Sequence, residues 1–255
     1  MKYWIIAKND KKSTLAKEKL MKNITLELDE KNPELVVAIG GDGTFINAVH
    51  QFPQAVIFGL HTGHLGFYSN YTLESLDDLI MDINEKKYKV EWIDLLKCSI
   101  QASKKNIVDY ALNEMTIIMP PRTLILNVYV DEEKFETFRG TGLCISTSYG
   151  STAYNKSLHG AVVDPSVKAF QMTEIAGINS NSYRTLSSSL LLASHRTIIL
   201  EALQEEEVYI TIDNISYNIK EFSSAKISVA SDKIQVAYHE LPHFVDRIKR
   251  TFLTQ

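Results

Sequence analysis

The chain reads as an α/β amino-terminal domain on a parallel sheet, then a β-rich carboxyl-terminal domain and a helical tail. Three observations point there. Between residues 1 and 93, unbroken apolar runs alternate with helix-patterned segments, the texture of parallel strands covered by helices. From 94 to 238, short stretches rich in Val, Ile, Tyr and Thr are separated by polar turns, which reads as a second, β-rich domain. From 239 to 255, Leu241-Pro242 ends the sheet and Phe244, Ile248 and Phe252 recur every four residues, marking an amphipathic tail helix.

The elements follow in order. Tyr3-Trp4-Ile5-Ile6-Ala7 is a first strand over 3–7, followed by a helix over 14–22. Leu35-Val36-Val37-Ala38-Ile39 predicts a strand buried on both faces, with a helix over 44–50 behind it. A strand over 55–60 and a helix over 72–86 complete a Rossmann-like pattern. In the second domain, segments 123–130, 207–212, 215–219 and 227–230 read as strands. Asp213-Asn214, between two of them, is most simply a hairpin turn.

Composition bounds the function. The 255 residues are enough for one large domain or two ordinary ones, and 45% hydrophobic with 23% charged content is that of a soluble globular protein. A net charge of -4 gives no electrostatic reason to expect nucleic acid or an anionic membrane. No stretch approaches the roughly 20 apolar residues of a membrane span. Cys98 and Cys144 lie far apart without metal-ligand spacing, which fits core thiols in a reducing, cytoplasmic compartment. His61 and His64 are separated by Gly63 in a loop and are joined by no carboxylate cluster, so no protein-borne metal site is expected. Gly150-Ser151-Thr152 lacks the Gly-x-Ser-x-Gly elbow of a serine hydrolase.

Chemistry concentrates after the 35–39 strand, in Gly40-Gly41-Asp42-Gly43-Thr44. Glycines at the carboxyl edge of a parallel sheet let backbone approach a ligand. The acid in their midst would repel a bare pyrophosphate. It suits instead a proton taken from a hydroxyl, an oriented sugar hydroxyl, or a metal beside a nucleotide phosphate. Further on, Asn113 and Glu114 interrupt an apolar strand, and burying an amide and a carboxylate costs several kcal/mol without partners. A nucleotide offers such partners: adenine edges for Asn and ribose hydroxyls for Glu.

These stretches resemble the NAD kinase family. Gly40-Gly41-Asp42-Gly43-Thr44 matches a signature that diacylglycerol and sphingosine kinases share. Gly63-His64-Leu65-Gly66-Phe67 looks like the family's Gly-x-Leu-Gly-Phe, with Leu65 and Phe67 as a possible apolar wall for base or ribose, or as core plugs. Asn113-Glu114 corresponds to the pair found in the family's NAD site. The run from Arg139 to Ser157 is similar to Arg-Gly-Asp-Gly followed by Thr-Pro-x-Gly-Ser-Thr-Ala-Tyr. The resemblance spans essentially the whole chain. It implies phosphoryl transfer from ATP, with Mg²⁺ held through the nucleotide phosphates, to the 2′-hydroxyl of the adenosine ribose of NAD.

In that reading Asp42 is the base or aligns the hydroxyl, and Gly40, Gly41, Gly43 and Thr44 hold the donor phosphates. Asn113 and Glu114 hold the adenosine, and Thr152, Ala153, Tyr154, Asn155, Lys156 and Ser157 line the dinucleotide cleft. Arg139 faces the pyrophosphate or the new 2′-phosphate, while Thr141, Ala176 and Asp213 lie near the dinucleotide. The site is expected between the two domains, the tail is expected to pack back on the first, and the family's members form homodimers or homotetramers. The donor is ATP or polyphosphate.

Two departures stand out. Thr141 occupies the place of a family Asp, which predicts NAD affinity weaker by about ten- to a hundredfold. Ser148 occupies the place of a Pro, which predicts a slightly looser loop. A lipid or sugar kinase of the same superfamily and a catalytically weak NAD(P)-binding sensor are the competing readings.

Overall fold

A computed structural model describes residues 1–63 and 66–253 of the chain. It divides into two compact units, Met1–Ile93 with Lys233–Gln255, and Asp94–Asp232. No helix among the described residues is long and apolar enough to cross a membrane.

The first unit runs β1 (Lys2–Ala7), α1 (Lys11–Asn23), β2 (Glu27–Leu28), β3 (Leu35–Gly40), α2 (Asp42–Gln51), β4 (Val56–His61), β5 (Tyr71–Thr72) and α3 (Leu76–Glu85). β6 (Lys89–Ala102) then leads into the second unit. Strands β2, β1, β3 and β4 lie side by side and parallel, in register Lys2↔Glu27, Tyr3↔Leu35 and Leu35↔Val56. Every residue of β3 is buried, as its unbroken apolar run requires of a strand covered on both faces. Leu20 of α1, Leu79 and Ile83 of α3, and Phe58 of β4 close the core around it.

The second unit holds β7 (Ile107–Ala111), β8 (Glu114–Ile118), β9 (Leu124–Val130), β10 (Glu133–Gly140), β11 (Gly142–Thr147), α4 (Tyr154–Ser157), β12 (Ala169–Ile175), β13 (Leu190–Ala193) and β14 (Thr197–Ile212). β15 (Ile215–Tyr238) begins there and ends in the first unit, where Gln235–Ala237 pair parallel with β4. The neighbours β13-β12-β11-β8-β14 are antiparallel, over a core that includes Leu96, Met115, Ile145, Phe170, Ile210 and Phe222.

Several boundaries differ from the sequence reading. Helix α2 begins at Asp42 rather than 44, because the Gly41 carbonyl already accepts from the N–H groups of Thr44 and Phe45. Asp42 therefore sits in the first helical turn, where the free N–H groups favour an acid. The helix expected from 72 starts at Leu76, since Tyr71–Thr72 pair with β4 and the Ser75 hydroxyl accepts from the Thr72 N–H. β14 and β15 run through turns that pattern alone suggested. Register shifts between Glu201 and Glu206 let one end of β14 pair with β9 and the other with β8.

The tail differs most. Its α-helix is short, α5 (Phe244–Ile248), and continues as a π-helical turn over Lys249–Leu253. It packs on the first unit, but its one fully buried residue is Arg247, at 3% exposure, while Phe252 stays 37% exposed. The apolar period of the tail therefore does not name the side that goes in.

Candidate active site

In the first unit the site is built around Asp42. Its carboxylate oxygens accept the backbone N–H groups of Phe67, at 2.8 Å, and Tyr68, at 3.2 Å. Gly66 makes that approach possible: a Cβ there would stand 2.1 Å from the Asp42 Oδ1. A Cβ at Gly41 or Gly43 would meet nothing within 4 Å, so those two glycines leave open space around the acid. Gly40 is different, with φ at +156° and the Thr44 hydroxyl packed against it. Phe67 contributes its backbone, while its ring is 5% exposed and belongs to the core. Leu65, with His64, lies outside the described residues.

The second unit builds its own constellation at the start of β8. Asp213, in the two-residue turn between β14 and β15, has a φ of 51°, as such hairpin turns require. Its carboxylate accepts from the N–H groups of Leu112 at 2.8 Å, Asn113 at 2.7 Å and Glu114 at 3.3 Å. Asp213 thus braces the Asn113-Glu114 backbone. From the other side, Thr147 donates its N–H to the Asn113 carbonyl and its hydroxyl to that of Leu112. Gly150 follows because any side chain there would collide with the Asn113 carbonyl, 2.0 Å from a built Cβ.

Glu114 is the electrostatic anomaly of the unit. Burial, and then the nearby Asp213 charge, push its carboxyl up to about 8, although the Tyr154 N–H bonds to it and opposes the shift. Its Oε2 is buried with no hydrogen-bond partner. A mostly buried acid with one orphaned oxygen keeps hydrogen-bonding capacity that the fold leaves unused.

The segment after β11 is sorted by exposure. Thr152 and Ala153 are half-buried, and Tyr154, Lys156 and Ser157 are exposed. Asn155 is fully buried, its side-chain oxygen accepting from the Thr173 hydroxyl at 2.8 Å. Ser148, expected to loosen its loop slightly, makes contacts of its own. Its hydroxyl lies 2.9 Å from the carbonyl oxygens of both Val167 and Ala169 and ties the loop to the stretch before β12.

Arg139, Thr141 and Ala176 form a separate group. Thr141 donates its N–H to the Ile175 carbonyl, and Gly140 packs tightly on the carbonyl of Ala176, whose φ is 48°. Gly142 pairs with Ile118 while Ser146 pairs with Glu114, so this group and Glu114 lie at opposite ends of β11. At about 3.3 Å per residue the separation is roughly 13 Å. The Arg139 guanidinium stacks on Tyr183, 4.1 Å from the ring centroid. Sequence reasoning missed Gly66, Thr147 and Gly150. Only the loop-glycine pattern hinted at Gly66 and Gly150.

Comparison with known proteins agrees with this architecture. The ATP-NAD kinase amino-terminal domain matches residues 5–88, and the ATP-NAD kinase carboxyl-terminal domain matches residues 112–237. NAD kinases of Staphylococcus aureus strains JH9 and Newman are 37% identical over 264 aligned residues, covering 100% of this chain and 98% of theirs. Among solved structures, yeast NADH kinase complexed with NADH shares the fold with a TM-score of 0.87 at 19% identity, covering 100% of this chain and 89% of that one. An NAD kinase from Archaeoglobus fulgidus in complex with ATP has a TM-score of 0.78 at 21% identity, covering 98% and 99%. Two domain matches in sequence order, full-length identity and a shared fold agree: the chain belongs to the NAD kinase family.

Proposed function

We propose that the chain transfers the terminal phosphate of ATP to the 2′-hydroxyl of the adenosine ribose of NAD, with Asp42 as the catalytic acid–base group. In this reaction the bond from the terminal phosphorus to its bridging oxygen breaks and ADP departs. A new bond forms from phosphorus to the 2′-oxygen, and the hydroxyl proton passes to Asp42 or from there to solvent. The observation that carries the reading is the Asp42 carboxylate, oriented by two backbone donors and flanked by open space at Gly41 and Gly43. Phosphoryl transfer leaves the protein mainly positioning and electrostatics to supply, and a pre-oriented carboxylate supplies both.

Asn113 and Glu114 take the adenosine side in this reading. The orphaned Oε2 of Glu114 supports it, because a ribose hydroxyl or adenine amine would satisfy that atom. Thr152, Ala153, Tyr154, Lys156 and Ser157 present half-buried or exposed groups to the dinucleotide. Gly40 and Thr44, with the open glycines, receive the donor phosphates of ATP or polyphosphate at the amino end of α2. Among the described residues no group of three or more His, Cys, Asp or Glu could hold a metal. Mg²⁺ is read as arriving on the nucleotide phosphates, which would supply its oxygen ligands. Residence in the cytoplasm and assembly as a homodimer or homotetramer complete the reading. Edge strand β13, with Leu191 49% exposed, is a surface that such a contact would cover.

The test is NADP formation from NAD and Mg-ATP, coupled to an NADP-specific dehydrogenase, with Asp42→Asn in parallel. Wild type should turn over and the variant should lose about two to four orders of magnitude in kcat while still binding NAD. Equal turnover in both would end the catalytic assignment. NAD binding without turnover in wild type would replace the enzyme with a nucleotide sensor.

A further inference from the structure

We propose that Arg247, in the carboxyl-terminal tail, is a positioning residue for Asp42 and acts through Phe67. This rests on the reading of Asp42 as the catalytic group. A charged side chain at 3% exposure in a short surface helix is anomalous, since desolvating a guanidinium is costly unless its surroundings compensate. Here they do so on several sides. Nη2 donates to Glu91 Oε2 at 3.2 Å and to the Tyr238 hydroxyl at 3.1 Å, with the Tyr238 ring centroid 5.4 Å from the guanidinium carbon. The guanidinium also covers the ring of Phe67, 5.2 Å from its centroid, within cation–π range.

Phe67 is the residue whose N–H donates to Asp42 at 2.8 Å. Its neighbour Tyr68 gives the second N–H and stacks on Phe45, with centroids 5.0 Å apart and planes 5° from parallel. Phe45 stands on α2, the helix that carries Asp42. The Phe67-Tyr68 segment is therefore clamped from two directions, by α2 through Tyr68 and by the tail through Arg247. The contact with Phe67 adds a link from the chain terminus to the donors that aim the catalytic carboxylate. Misplacing a reacting group by an ångström is enough to cost about a hundredfold in rate, so such a link bears on turnover.

The experiment measures kcat, the KM values for NAD and ATP, thermal stability, and amide exchange at Phe67 and Tyr68. It compares wild type, Asp42→Asn, Arg247→Met, Arg247→Lys, Phe67→Leu and the Arg247→Met/Phe67→Leu double variant. Arg247→Met and Phe67→Leu should each lower kcat by about tenfold or more with both KM values within about twofold, and both should speed exchange of the two amides. The double variant should be no worse than the poorer single one, because both changes break one link. Arg247→Lys, which keeps a cation over the ring, should recover most of the rate. A folded Arg247→Met with wild-type kcat, or a loss of rate with amide protection unchanged, overturns the proposal. Should Arg247→Met fail to fold, wild-type kcat in Phe67→Leu overturns it equally. Full turnover in Asp42→Asn removes the catalytic reading itself, a result seen without any change at Arg247.

Discussion

The Asp213 carboxylate accepts the backbone N–H of Asn113 at 2.7 Å, across 100 residues of sequence. One oxygen serves Asn113 and Glu114 and the other serves Leu112, so a single turn residue fixes the backbone beneath the two side chains proposed to hold the adenosine. Asp213→Ala removes both acceptor oxygens and leaves the three partly buried donors unsatisfied, at about 1–3 kcal/mol for each donor that water does not reach. The expected result is a fall of at least about 2 kcal/mol in unfolding free energy and a KM for NAD raised more than kcat is lowered. Denaturant melts and steady-state kinetics check both. A variant with wild-type stability and KM would show the brace to be idle.

Gly66 faces Asp42 so closely that a methyl group has no room, with Oδ1 at 2.1 Å and the carboxyl carbon at 2.5 Å from a built Cβ. Gly66→Ala must push the carboxylate or the loop aside. The prediction is a kcat lowered by about a hundredfold with the fold retained, read by steady-state assay alongside circular dichroism. The same change at Gly43, where a Cβ meets no protein atom, leaves the Asp42 hydrogen bonds in place. An effect there appears only when nucleotide is present.

Glu114 predicts a pH dependence of stability. Its carboxyl is held up to about 8 in the fold against a usual 4.5, chiefly by burial. Between those values the folded chain keeps a proton that the unfolded chain has released. Stability therefore falls as pH rises through this window and levels off above it. Glu114→Gln removes the slope, so the melting temperature of the variant should gain on wild type from pH 5 to pH 8 and hold its lead beyond. Parallel curves for the two proteins would show that Glu114 ionises normally.

Much of this was legible in the sequence, and unevenly so. The strand at 35–39 was readable because five apolar residues in a row admit few other environments, and the structure buries all of them. Asp42 stood out as an acid set among glycines at a strand end, and the Asn113-Glu114 pair as a polar interruption of an apolar run. Asn155 and Ser148 read as site residues or departures, yet the structure commits both to internal hydrogen bonds. Position in a motif does not say which way a side chain faces. The tail misled in the opposite sense: Phe244, Ile248 and Phe252 signal an apolar face, and the buried residue is Arg247.

The sequence by itself determined the α/β and β-rich halves, the family, and the acid in its glycine loop. These depend on local pattern and nearby spacing, which the chain order preserves. Only the tertiary structure decided that the donors to Asp42 come from Phe67 and Tyr68, that Asp213 braces Asn113, and that Arg247 covers Phe67. Those partners lie 25, 26, 100 and 180 residues apart respectively. A hydrogen bond or ring contact over such a span leaves no periodic trace, because it depends on where folding brings the two segments and not on what lies between them.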